Sequence, residues 1–82
     1  MWTNAFSSED IGKHIVELRR ARGLTQAAFA EQLGVSAPTV SRLEGGGSVS
    51  SRMLVRALSF LGSRLVIVPK SAAIEVRELS NG

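Results

Sequence analysis

Apolar side chains recur at helical spacing in four segments of the chain, and the first of these segments follows Ser7 and Ser8. Ile11, Ile15 and Leu18 are three or four residues apart, which places them on one face of a helix. Either serine can cap this helix, and two acidic residues lie favourably in its first turn. The pattern therefore predicts a first amphipathic helix that ends at the next glycine.

Two shorter helices are predicted next, separated by a glycine turn. Thr25 can cap a helix over residues 26–33, which Gly34 ends. Ser36 can cap a further helix that continues to Glu44, with a proline in the first turn, where a missing N–H is tolerated. The predicted buried faces of these two helices consist of Phe29, Ala30, Leu33, Val40 and Leu43.

A fourth helix and a short strand are predicted in the second half of the chain. Residues 45–48 form a flexible glycine loop, after which Ser50 or Ser51 begins a helix. The apolar side of this helix consists of Met53, Leu54, Ala57, Leu58 and Leu61. The β-branched segment that follows predicts a strand made of Arg64, Leu65, Val66, Ile67 and Val68. Residues 74–76 could form a second strand, or residues 71–82 could be a loose tail.

The length and composition of the chain predict one small domain. A chain of 82 residues with 44% hydrophobic residues buries a core of marginal stability and commonly gains from self-association, so we expect a homodimer. No apolar run approaches the roughly 20 residues of a membrane-spanning helix. The first residues also lack the basic start and apolar run of a secretory signal. We therefore expect a cytoplasmic protein without a membrane partner.

Side chains that support catalysis or metal binding are sparse. The chain has no cysteine and a single histidine, His14, which excludes a disulfide scaffold and leaves almost no basis for a zinc or haem site. The glycines at 45–47 are not followed by the Gly-Lys-Ser/Thr of a phosphate-binding loop. We therefore expect no cofactor and no enzymatic activity, and we expect His14 to serve packing.

The charge of the chain is unevenly distributed. Ten Lys and Arg against seven Asp and Glu give a net charge of +3. Between residues 42 and 70, five positive side chains are opposed only by Glu44. This local excess suits contact with a phosphate backbone, and it equally fits a solubilising surface.

The two short helices around Gly34-Val35-Ser36 have the spacing of a helix-turn-helix. The segment QAAFAEQLGVSAPTVSRLE at residues 26–44 resembles the XRE, or lambda-repressor-like, family of DNA-binding proteins, over roughly residues 11–61. The resemblance implies a mainly α domain. It also implies that the helix from Ser36 enters the major groove, while the preceding helix points its N-terminus at a phosphate.

The same resemblance implies roles for individual residues in DNA binding. The residues expected to contact bases are Ser36, Ala37, Thr39 and Arg42, and those expected to contact phosphates are Thr25, Gln26 and Ser41. Arg42 can bind guanine through O6 and N7, and the methyl group of Ala37 or Thr39 can pack on a thymine methyl. Because many relatives have longer polar residues at positions 37 and 38, we expect few base contacts and some specificity from DNA shape.

The resemblance further implies a partly buried ion pair between Arg19 and Glu44, which joins the first helix to the end of the recognition helix. Two other interpretations remain open. Arg19 could face phosphates together with Arg20 and Arg22, or Glu44 could be a solvated residue beside the glycine loop.

The strand predicted at residues 64–68 is similar to that of HipB-like antitoxins, in which the strands of two subunits pair into a small dimerising sheet. This similarity implies a repressor that binds an inverted-repeat operator as a homodimer and neutralises a HipA-like kinase toxin. A hairpin with residues 74–76, and a stand-alone or phage regulator without a toxin, are the alternatives.

The expected organisation has three parts. Residues 1–7 form an N-terminal arm, residues 8–62 form the helix-turn-helix DNA-binding domain, and residues 63–82 form the dimerisation strand and a C-terminal tail. Trp2 and Phe6 in the arm pack on the domain or on a partner, and the sequence leaves this choice open.

Overall fold

The computed structural model describes residue 5 and residues 7–66, and these residues form four α-helices. The helices are α1 (Ser8–Ala21), α2 (Gln26–Leu33), α3 (Ala37–Glu44) and α4 (Ser51–Phe60). No strand occurs in this described part of the chain. The predicted helical domain is therefore present.

Each helix begins after a hydroxyl side chain that accepts a hydrogen bond from the backbone N–H three residues later. The capping residues are Ser7, Thr25, Ser36 and Ser50, with oxygen-to-nitrogen distances of 3.1 to 3.3 Å. Such a bond satisfies one of the N–H groups that have no acceptor within the helix. Of the two alternatives predicted at the first and fourth helices, the cap is the earlier serine in both.

Gly34 forms the turn between α2 and α3. Its φ of 71° and ψ of 31° lie in the left-handed region, which a residue without a Cβ enters at little cost. The Gly34 N–H donates to the Glu31 carbonyl at 3.1 Å, and the Val35 N–H donates to the Ala30 carbonyl at 3.0 Å. These bonds satisfy carbonyl groups in the last turn of α2, and α3 begins after a connection of only three residues.

All four helices contribute to one hydrophobic core. Its buried side chains are Ile15, Phe29, Ala30, Leu33, Val40, Leu43, Met53, Ala57, Leu58 and Leu61. The largest of the fully buried side chains are Phe29, Ile15 and Val40. The ring of Phe29 also packs on Phe60 of α4, with centroids 5.8 Å apart and planes tilted by 34°. The core therefore joins all four helices into one unit.

The glycine loop after α3 is hydrogen-bonded to that helix through its backbone. The N–H groups of Gly45, Gly46 and Gly47 donate to carbonyls of α3 at 3.0, 3.2 and 2.8 Å. These bonds satisfy carbonyl groups at the end of α3 that have no partner within the helix. The loop is thus a continuation of the helix terminus.

The segment after α4 has no regular secondary structure up to residue 66, where the description ends. Leu65 and Val66 are exposed, with 47% and 55% of their surface accessible. Ile67 and Val68 of the predicted strand lie outside the described residues, as do residues 71–82 with the possible second strand. Most of the predicted N-terminal arm, including Trp2 and Phe6, also lies outside them. The strand and its pairing between subunits stay predictions.

Two arginines that count toward the positive charge of the chain have structural partners. Arg56 donates from Nη2 to the Leu33 carbonyl at 2.6 Å, which satisfies the C-terminal end of α2. The guanidinium of Arg22 lies over the ring of Phe60, 5.6 Å from its centroid. Among the described helices, none has the length and apolar character that crossing a membrane requires.

Candidate nucleic-acid interface

The hydrophobic core determines which side of α3 is buried and which side is exposed to solvent. Val40 and Leu43 of α3 are buried, with 0% and 3% of their surface accessible, and Ala30 of α2 lies in the same core with 3% accessible. A small side chain at position 30 allows α2 and α3 to approach closely. With one face of α3 held in the core, the opposite face is turned to solvent.

This solvent face carries most of the residues that the sequence predicts as base contacts. Ser36, Ala37 and Arg42 are exposed, whereas Thr39 is half-buried. Pro38 is also exposed and precedes Arg42 by four residues, so the two lie next to each other along the helix. Pro38 was not among the predicted contacts. Its position one turn before Arg42 was available from helical spacing alone.

The hydroxyl groups of Ser36 and Thr39 form a pair at the start of α3. Their oxygens are 2.9 Å apart, and Ser36 Oγ also accepts from the Thr39 N–H at 3.3 Å. One hydroxyl hydrogen lies between the two oxygens, and the other remains available to donate. The pair can therefore offer one donor to a ligand while the helix cap stays in place.

Arg19 and Glu44 form an ion pair beneath this surface. Arg19 Nε donates to Glu44 Oε2 at 2.6 Å, and Arg19 Nη2 donates to Glu44 Oε1 at 3.1 Å. Only 7% and 8% of the two residues are accessible to solvent. Arg19 Nη1 also donates to the carbonyl oxygen of Leu24 at 2.7 Å. The pair is thus buried and ties α1, the α1–α2 turn and the end of α3 together.

Gln26 is a third member of this cluster. Its Nε2 donates to Glu44 Oε1 at 2.8 Å, so the carboxylate accepts three hydrogen bonds from two side chains. Gln26 is half-buried in the first turn of α2. The second N–H and the Oε1 atom of its amide can make further bonds. The sequence predicts Gln26 only as a phosphate contact, and nothing in the pattern indicates its bond to Glu44.

The other two predicted phosphate contacts lie at helix positions that are open to solvent. Thr25 is exposed and accepts the Ala28 N–H at 3.1 Å, which leaves its own hydroxyl hydrogen available to donate. Ser41 is exposed on α3, next to Arg42 in the chain. Thr25 and Gln26 stand together at the N-terminus of α2, where the helix dipole favours an anion.

Gly12 of α1 lies against the last turn of α3. A Cβ at this position would overlap the carbonyl oxygen of Glu44 and lie 2.8 Å from its carbonyl carbon. The two helix backbones therefore approach as closely as a glycine allows. This contact fixes the end of α3 from a second side, next to the Arg19–Glu44 pair.

No group of three or more His, Cys, Asp and Glu residues that could hold a metal ion occurs in the part of the chain that the structure describes. The chemistry of the surface is that of hydroxyls, one exposed arginine and a capped helix N-terminus. Such groups bind phosphates and base edges by hydrogen bonding.

The α2–turn–α3 unit and its buried support define a helix-turn-helix protein. A family model described as a helix-turn-helix domain matches residues 10–63, and the chain belongs to this family. The structure is similar to that of a chain in a complex of a HipB variant with a 20mer termed O2. The TM-score is 0.74 at 18% sequence identity, over 87% of this chain and 100% of that chain. The predicted resemblance to XRE-type, HipB-like proteins is confirmed for the family and the fold. No curated protein matches the sequence.

Proposed function

We propose that this protein is a sequence-specific DNA-binding transcriptional repressor that contacts the major groove through α3. The observation that carries this proposal is the solvent face of α3, which is held by a core on one side and by the Arg19–Glu44–Gln26 cluster at its end. A preorganised helix with an exposed arginine suits base contact, because its geometry is fixed before DNA arrives.

The phosphate contacts in this proposal come from the start of α2. Thr25 offers a hydroxyl donor and Gln26 offers a second amide N–H, both beside the positive end of the helix dipole. Because Gln26 also bonds Glu44 at the end of α3, a phosphate bound there would fix the register of the recognition helix. Ser41 adds a hydroxyl on the α3 side.

We further propose that the protein binds an inverted-repeat operator as a homodimer through residues 64–68. The described part of this segment supports the proposal, because Leu65 and Val66 present two consecutive apolar side chains to solvent. An apolar extended segment with unpaired backbone groups is stabilised when it pairs with a second strand. A symmetric pairing would place two α3 helices at half-sites related by a two-fold axis.

The regulatory role proposed for this dimer is that of the antitoxin of a HipBA-like operon, which neutralises a kinase toxin. Its support is the likeness in fold to the HipB chain. The alternative is a stand-alone or phage regulator with no protein client. We expect a toxin to bind the outer helical surface or residues 71–82 rather than Ser36, Thr39 and Arg42, so that toxin and DNA bind together.

Selection from random duplex DNA tests the DNA-binding proposal. The purified protein is incubated with a randomised duplex library, and bound sequences are recovered and sequenced over several rounds. We expect an inverted repeat whose half-sites lie about one helical turn apart, roughly 10 bp. The selection is repeated at several salt concentrations. If no sequence motif is enriched in the recovered DNA at any of them, a sequence-specific repressor is excluded.

Co-expression with the product of the neighbouring gene tests the antitoxin role. Size-exclusion chromatography with and without the selected duplex shows whether a complex forms and whether DNA joins it. Failure of any neighbouring product to co-purify would favour the stand-alone regulator. Displacement of the partner by DNA would retain the antitoxin role and reject the proposed contact surface.

A further inference from the structure

Gly47, at the end of the glycine loop, lies against the side chain of Arg42. Its N–H donates to the Arg42 carbonyl at 2.8 Å, so the chain folds back on the last turn of α3. A Cβ at position 47 would lie 2.5 Å from Arg42 Cγ, 3.1 Å from the Arg42 carbonyl oxygen and 3.5 Å from Arg42 Cδ. The first atoms of the arginine side chain therefore occupy the space that a side chain at residue 47 would take.

The position of Arg42 Cγ decides where the guanidinium group can reach. Arginine has four side-chain torsions, and the staggered conformers open to it depend on the space around its first carbons. Because residue 47 is a glycine, the space beside it is free for Arg42 Cγ. The Cβ of any other residue at position 47 would occupy this space. A side chain already packed in one direction also loses less conformational freedom when it binds.

We propose that Gly47 is a positioning residue for DNA recognition: it provides the space through which Arg42 extends toward a base. The inference rests on the base contact proposed above for Arg42, and it makes the loop after α3 a determinant of specificity. Substitution at residue 47 then alters sequence discrimination without removing any group that contacts DNA.

Gly45 provides a matched control in the same loop. A Cβ there would lie 3.3 Å from the Ser41 carbonyl oxygen and 3.8 Å from the Arg42 carbonyl oxygen, with no Arg42 side-chain atom among its nearest neighbours. Neither Gly45 nor Gly47 has a positive φ, so neither position requires the left-handed conformation that favours glycine. Gly46, at a φ of 78°, is unsuitable for this comparison.

The experiment uses the full chain and four variants: Gly47→Ala, Gly45→Ala, Arg42→Ala and the double variant Gly47→Ala with Arg42→Ala. Affinity is measured by fluorescence anisotropy on a labelled duplex that carries the selected operator and on a scrambled duplex of equal length. We expect Gly47→Ala to weaken operator binding about 10-fold, as a partial loss of the arginine contact, with little change on scrambled DNA. Gly45→Ala should stay within about 2-fold of the parent, in line with the small effects typical of surface changes.

The double variant separates an effect through Arg42 from a general effect on the backbone. Arg42→Ala removes the Cγ atom that the new methyl group would meet, so Gly47→Ala should change operator affinity by less than about 2-fold in that background. Thermal unfolding followed by circular dichroism is measured in parallel. Any loss of thermal stability caused by Gly47→Ala should likewise be smaller in the Arg42→Ala background. This comparison tests the contact between residues 47 and 42 even if the single variant is too unstable for binding measurements.

Three results would overturn the inference, and each has a different consequence for the base contact proposed for Arg42. Unchanged or tighter operator binding by Gly47→Ala, with weaker binding by Arg42→Ala, rejects the role of Gly47 and retains the proposed base contact. An equal loss in both backgrounds assigns the effect to the backbone and also rejects it. Unchanged binding by Arg42→Ala rejects the base contact of Arg42 together with the inference, while enrichment of an operator would still support a DNA-binding protein.

Discussion

Arg42 and Gln26 differ in their surroundings, and we expect their truncation to affect DNA binding differently. Arg42 is exposed on α3, whereas Gln26 is half-buried and bonded to Glu44. Arg42→Ala should weaken binding to the selected operator by about 1–3 kcal/mol, because a bidentate contact to guanine is lost. Gln26→Ala should weaken binding to operator and random duplex by similar factors, because a phosphate contact does not depend on sequence.

Anisotropy titrations measure, for each variant, the loss of affinity for the operator and for the random duplex. Gln32→Ala serves as the control for Gln26→Ala. Gln32 is an exposed glutamine of the same helix and makes no bond to Glu44. Equal losses of Arg42→Ala on both duplexes would show that Arg42 contacts a phosphate. A loss confined to the operator in Gln26→Ala would contradict its assignment as a phosphate contact.

Loss of the Glu44 carboxylate should strongly reduce the stability of the helix-turn-helix. Glu44→Ala leaves Arg19 buried without its counter-ion and leaves the Gln26 amide without an acceptor. Loss of one partner of a buried pair costs about 3 kcal/mol or more, which corresponds to a fall in Tm of more than ~10 °C for a domain of this size. Thermal unfolding by circular dichroism measures the change.

Glu31→Ala is the matched control, since Glu31 is exposed on α2 and surface substitutions change stability by only about 0.5 kcal/mol. Retention of the Arg19–Leu24 hydrogen bond would soften the loss in Glu44→Ala but would not remove it. Equal melting temperatures of the two variants would show that the buried pair adds nothing to stability.

The candidate site is predictable from the sequence only in part. Arg19 and Glu44 are charged residues that the family resemblance places opposite each other, and in the structure they are bonded. Gln26 bonds the same carboxylate across a separation of 18 residues, and no spacing rule indicates such a contact because it depends on how the helices cross. The contact between Gly47 and Arg42 is hidden for a similar reason, since a glycine run looks the same in a free loop and in a packed turn.

Helix α1 should tolerate a methyl group poorly at one position. Gly12→Ala adds a Cβ that would overlap the backbone of Glu44, so α1 and α3 would have to separate. We expect a loss of about 1–3 kcal/mol in the free energy of unfolding, although alanine favours a helix over glycine by roughly 1 kcal/mol. Chemical denaturation of the purified variant provides the measurement.

Lys13→Ala, at the exposed neighbouring position of α1, controls for the general effect of alanine in this helix. A Gly12→Ala variant as stable as the parent would mean that the end of α3 shifts freely, which would contradict the close approach of the two helix backbones. A glycine in the middle of a predicted helix indicates a close approach of another backbone, because glycine lowers the stability of a helix and needs a compensating reason there.

The bounds of the helices follow from local signals. The segment predicted over residues 26–33 has the bounds of α2, because Thr25 and Gly34 mark both ends with side-chain and backbone geometry. Adjacent serines could not be distinguished as caps, since Ser7 and Ser8 offer the same hydroxyl and only the hydrogen bond selects one. The strand predicted at residues 64–68 has no such local signal for its pairing, because its expected partner is a second copy of the chain.

Dimerisation in solution should depend on the exposed apolar pair Leu65 and Val66. Substitution of both by serine should yield a folded monomer with much weaker operator binding, because separate domains no longer bind two half-sites as one unit. Analytical ultracentrifugation and anisotropy measure the two effects. Helical content by circular dichroism should stay that of the parent, since neither residue contributes to the core.

Val55→Ser is the control for this double substitution. Val55 is exposed to a similar degree, at 50%, but lies on α4 rather than in the segment after it. A dimer that persists in the Leu65 and Val66 variant would reject residues 64–68 as the contact. A monomer produced by Val55→Ser would place the contact on α4 instead.

The burial of the Arg19–Glu44 pair has a consequence for the response of the molecule to ionic strength. Mobile ions screen charges in solvent within about 8–10 Å at 0.1 to 0.15 M salt, but they act far less on a pair with less than a tenth of its surface accessible. Phosphate contacts, by contrast, release counterions and weaken steeply as salt rises. Added salt should therefore release this protein from DNA while its melting temperature stays nearly constant, so that α3 keeps the same conformation in the free and the DNA-bound protein.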